Sequence, residues 1–99
     1  MITATAFAHS ATTETQPPSN ISPELKALWL AKAGRWDDAH DACQQIPGPT
    51  GAWIHAYLHR EEGDYDNAAY WYQRAHQPVP PRSLSIADEW RQLVETLQS

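Results

Sequence analysis

The chain has 99 residues, 12 acidic against seven basic side chains, a net charge of −5 and a single cysteine. That length fits one small domain, and the acidic balance argues against nucleic acid and anionic membrane surfaces, which call for a basic patch. One cysteine excludes an internal disulfide and zinc sites built from cysteine pairs, and no apolar run approaches the roughly 18 residues of a membrane span.

Residues 1–20 are rich in Thr, Ala and Ser and end near Gln16-Pro17-Pro18, which reads as a flexible tail. No secretory leader is evident, because no Lys or Arg precedes the mildly apolar start. The default compartment is therefore cytoplasmic. Residues 21–99 form the expected domain. Five Trp and four Tyr supply bulk for a core that is otherwise small, since each large ring buries on the order of 150–250 Å².

Ser22-Pro23 is a helix start, with Ser as N-cap and Pro at the first helical position. Leu25, Leu28, Trp29 and Lys32 then recur at helical spacing. Gly34 stops this helix, and a second runs from about Trp36 to Gln45 with Asp37 and Asp38 in its first turn. Trp36, Ala39, Cys43 and Ile46 form its stripe, and Pro47-Gly48-Pro49 ends it. A third helix, capped by Thr50, carries Ile54, Tyr57 and Leu58 and closes at Gly63. A fourth, from about Tyr65 to His76, carries Tyr65, Ala68, Tyr72 and Ala75. A Pro-rich link leads to a fifth helix that starts at Ser85 and places Ile86, Trp90, Leu93, Val94 and Leu97 on one face. No alternating strand pattern appears, so the fold class is all-α with about five helices.

Two segments repeat at an interval of 29 residues: Gly34-Arg35-Trp36-Asp37-Asp38-Ala39 and Gly63-Asp64-Tyr65-Asp66-Asn67-Ala68. Each copy reads as helix, Gly stop, aromatic, acidic pair (Asp-Asn in the second copy), Ala and second helix. Ala39 and Ala68 are the small residues at which paired helices cross.

This pattern resembles the tetratricopeptide (TPR) repeat, which carries a Gly, an aromatic two residues later, an acidic pair and then an Ala. Tyr72 and Ala75 match its later aromatic and small positions. The resemblance covers about residues 23–80 and implies two TPR-like hairpins closed by a C-terminal capping helix. It also implies a non-enzymatic interaction module that holds a protein or peptide partner, with no cofactor. In that register Trp53, Tyr57, Arg60 and Glu61 face the concave side, and Tyr70 is the aromatic left at a surface or interface. The segment from His55 to Asp64, followed by Asn67-Ala68 and residues 70–75, is also similar to a group of small microbial proteins without an assigned activity.

One constellation points to different chemistry. His55, His59 and Glu62 stand at i, i+4 and i+7, so they share a helix face and suit a tetrahedral metal. This gives the alternative of a small His-dependent metal-binding protein or enzyme. The competing reading is that both imidazoles are packed and hydrogen-bonded. His40 and Cys43, at i and i+3, can also bring two ligands together, but Cys43 occupies a core position, where a thiol behaves as a small hydrophobe. A further alternative is a structural homodimer subunit with an exposed aromatic face, so monomer and homodimer both stay open. No phosphate loop, nucleophile elbow or cofactor fingerprint occurs, and no catalytic residue is assigned.

Overall fold

The computed structural model describes residues 3–98. Six helices follow one another: α1 (Ala4–Thr13), α2 (Pro23–Lys32), α3 (Trp36–Gln44), α4 (Gly48–Glu61), α5 (Tyr65–Arg74) and α6 (Ile86–Leu97). No strand occurs among the described residues. No helix there is long and apolar enough to cross a membrane.

The repeated segments close two helices in the same way. Gly34 and Gly63 both take positive φ, where glycine carries no Cβ penalty. After α2, the Gly34 amide donates to the Ala31 carbonyl and the Arg35 amide to that of Leu30. After α4, the Gly63 amide donates to Arg60 and the Asp64 amide to His59. Each pair of bonds satisfies carbonyls that a helix end leaves free. The chain then reverses, giving the hairpins α2–α3 and α4–α5. A third closure of this type follows α5, where His76 takes the positive φ in place of glycine. Gly51 meets a different demand: a Cβ there would lie 2.0 Å from the Ile46 carbonyl oxygen. Pro47, rather than Thr50, is the residue before α4, and Thr50 lies within its first turn.

α4 is the central element, packed against α2, α3, α5 and α6. It buries an uninterrupted run from Ile54 to Arg60. A helix enclosed all round shows no clean one-sided stripe. Ala56, Ala68 and Tyr72 form the contact between α4 and α5, while most other buried residues join one larger core.

α6 lies across α2 and α4. Its Trp90 indole donates to the Leu28 carbonyl at 2.8 Å. Arg60 donates to Glu89 at 2.9 Å and also to the Leu84 carbonyl, and the Tyr72 hydroxyl donates to the second Glu89 oxygen. Arg60 and Glu89 are both buried, so each satisfies the other where water cannot.

The expectation of about five helices is one short. The stretch expected as a tail folds in part: Thr3 caps α1 by accepting from the Ala6 amide. Phe7 is 0% exposed and its ring stacks on Trp90, with 6.0 Å between centroids. The Trp29 indole donates to Ser10 Oγ at 2.9 Å. Ala4, Phe7, Ala8 and Ala11 do share a helical face, but three of the four are alanines and give a weak apolar signal. Residues 14–22 carry no helix. Residues 1 and 2 of that stretch, and residue 99 of the expected domain, lie outside the described residues.

Candidate metal centre

α3 and α4 lie side by side, and His40 of α3 meets His55 and His59 of α4 between them. Trp36 and His40 stand one turn apart on the face of α3 that meets α4. The Trp36 indole donates to the Leu58 carbonyl at 2.8 Å, which joins the two helices. It also stacks on His40, with 4.9 Å between centroids. From α4, His55 and His59 project one turn apart, their rings nearly parallel at 4.9 Å. Trp71 of α5 stacks on the other face of His55 at 3.9 Å. Two indoles thus flank the histidine cluster.

His40 Nε2 and His55 Nε2 lie 2.9 Å apart, so one donates and the other accepts. His40, His55 and His59 each offer a ring nitrogen within 4.8 Å of the other two. Three nitrogens on a tetrahedral metal, at 2.0–2.1 Å from it, stand about 3.3 Å apart. The His40–His55 pair, at 2.9 Å, must therefore open slightly, a shift that side-chain torsions can supply. His59 Nδ1 lies 2.8 Å from Glu62 Oε1. With Nδ1–H donating to that carboxylate, Nε2 carries the lone pair. The Asn67 amide Nδ2, 3.5 Å from Nε2, agrees with this tautomer. A carboxylate behind a ligating imidazole fixes its orientation and raises its basicity.

Burial lowers the His55 pKa from 6.5 to about 4, with the charges of His40 and His59 adding to the effect. His55 is consequently neutral at pH 7, and a neutral imidazole keeps one nitrogen lone pair that can serve a ligand role. Burial, assisted by Asp41, pushes the Cys43 thiol up to about 12. Its Sγ donates to the His40 carbonyl, so this sulfur stays a packed thiol.

The structure brings His55 and His59 together as the helical spacing implied. It places Glu62 behind His59 rather than beside both rings, and His40 supplies the third nitrogen. The spacing of His40 to Cys43 marked it as a possible ligand, but its meeting with His55 depends on the packing of α3 against α4. A second group, His59, Glu62 and Asp64, is also close, but its carboxylates are exposed and Asp64 already caps α5.

The residues expected on a concave binding face separate. Tyr57 and Arg60 are buried, because α6 covers α2 and α4 and Glu89 holds Arg60. Trp53 is half-buried among core residues, and Glu61 is exposed. Tyr70 is 51% exposed, and the Arg74 guanidinium lies 5.6 Å from its ring centroid.

Comparison of the chain with known protein families, curated proteins and solved structures finds no match.

Proposed function

We propose that this chain is a small helical protein that binds one divalent late transition-metal ion between α3 and α4, through His40, His55 and His59. The carrying observation is the convergence of three imidazole nitrogens from two helices, one of them backed by Glu62. Neutral imidazole suits zinc, nickel and copper, whereas magnesium and calcium favour oxygen ligands. Zinc is the ion to test first. The two hairpins, on this reading of TPR-like type, serve as the rigid frame that sets the histidines.

Calorimetric titration of the metal-free protein with zinc tests the reading. One ion should bind per chain. His40→Ala and His55→Ala should each abolish stoichiometric binding, and Glu62→Gln should weaken it about ten- to a hundredfold. Absence of binding, or binding that His40→Ala leaves unchanged, would overturn the assignment.

The exposed Tyr70 with Arg74 beside it favours a second reading, an interaction module that works from the outer edge of α5 as a homodimer or with a peptide. Sedimentation of wild type and Tyr70→Glu tests the homodimer form. Association lost in the variant favours it, and a monomer in both removes it.

A further inference from the structure

An open groove of about 680 Å³ lies beside the histidine cluster, between the end of α3, the first turn of α4 and the last turn of α5. Its lining includes Ile46, Pro49, His55, Trp71, Arg74 and His76. The volume falls in the range that takes a small organic molecule. Among the described residues no carboxylate lines it, although the chain carries 12 acidic side chains. The groove is thus a cationic, partly aromatic concavity on an acidic protein.

Arg74 is the principal charge. Its guanidinium stands 5.4 Å from the Trp71 ring centroid and donates to the Tyr70 hydroxyl at 3.3 Å. Arg35, Arg60 and Arg91 each form an ion pair with an acid, whereas Arg74 forms none among the described residues. Two aromatic rings hold its cation at the groove wall and leave N–H donors uncommitted to any acid. A planar guanidinium matches a carboxylate through two parallel hydrogen bonds. His76 adds a second donor at the rim. Trp71, Ile46 and Pro49 offer apolar contact for the rest of a ligand.

We infer that this groove binds a small aromatic carboxylate, with the acid on Arg74 and the ring against Trp71. The inference goes beyond the metal reading, because neither Arg74 nor Trp71 is a metal ligand. His55 belongs to both sites, so a bound acid would adjoin one of the metal-ligating rings.

The test uses the full chain, freed of metal by a chelator, with 3-phenylpropionate and its neutral amide as probes. Binding is followed by tryptophan fluorescence and by amide resonances of the groove residues. The acid should bind saturably at one site and displace the resonances of Gly51, Trp71 and Arg74. The amide should bind at least about tenfold more weakly, because a hydrogen bond between charged partners is lost. Arg74→Gln should reduce affinity for the acid about ten- to a hundredfold, Arg74→Lys should retain part of it, and Arg82→Gln should bind like wild type. His40→Ala should keep the acid site, which separates a failure here from a failure of the metal reading. Equal binding of acid and amide to the wild-type chain, or no saturation below about 10 mM, would overturn the proposal whether or not the variants fold.

Discussion

Acidification reads the state of His55 directly. Its pKa falls from 6.5 to about 4 on folding, because the ring is only 7% exposed and two further imidazoles stand against it. Between those values the unfolded chain binds a proton that the folded chain refuses. The contribution is therefore fully present above about pH 6.5 and is lost as pH falls towards 4. Below about pH 4 both states carry the proton and no further loss arises from this ring. The slope approaches ~1.4 kcal/mol per pH unit, and across the full gap it amounts to about 3 kcal/mol, a large share of the stability of a small domain. Glu61, although its side chain reaches the surface, works in the opposite direction, since partial desolvation raises its pKa. It is present in every variant and cancels in a difference. The assay is urea unfolding of metal-free protein, followed by helical circular dichroism from about pH 7 to pH 4, for wild type and His55→Gln. Wild-type stability should fall relative to the variant as pH drops through this window. Parallel curves would show that the ring is not held neutral by its surroundings, and the electrostatic description of the site would fail.

Three single substitutions and one double variant test the packing. Phe7→Ala should cost about 3–5 kcal/mol in urea unfolding, because its ring is fully buried against Trp90; an unchanged midpoint would mean that α1 adds nothing to the core. Ala68→Leu should cost about 1–3 kcal/mol by overpacking the α4–α5 crossing, and a thermal melt like that of wild type would refute the close approach placed there. Glu89→Ala should cost about 3–5 kcal/mol by leaving Arg60 buried without its partner, and the double variant Arg60→Met with Glu89→Leu should recover much of that loss. No recovery would show that packing, rather than the unpaired charge, accounts for the cost.

The hairpins were legible because their determinants are local. A glycine stop, an aromatic, an acidic first turn and a small crossing residue all lie within six positions, and both glycines do take positive φ. α1 was not legible, since an alanine-rich face with one Phe has too little apolar contrast to separate it from a polar tail. The fate of α4 was also hidden. Spacing placed Ile54, Tyr57 and Leu58 inward, and they are buried. Enclosure by four helices buries His55, His59 and Arg60 as well, and the partners of His55 and Arg60 come from elsewhere in the chain. Glu89 reaches Arg60 from 29 residues away, and His40 reaches His55 across 15. Helical periodicity reports which residues share a face, so it found His55 and His59. It carries no information about which distant side chain will meet that face, so Glu62 stood in for His40.

The central claim is that three histidines from α3 and α4 share one ion, and X-ray absorption at the zinc edge tests it most directly. Protein loaded with one equivalent of zinc should show nitrogen or oxygen neighbours at about 2.0–2.1 Å in a four-coordinate shell, with outer-shell scattering from about three imidazole rings. His40→Ala should prevent stoichiometric loading, and with it the three-imidazole pattern. A six-coordinate oxygen shell without imidazole scattering, or a three-imidazole pattern that persists in His40→Ala, would contradict the account.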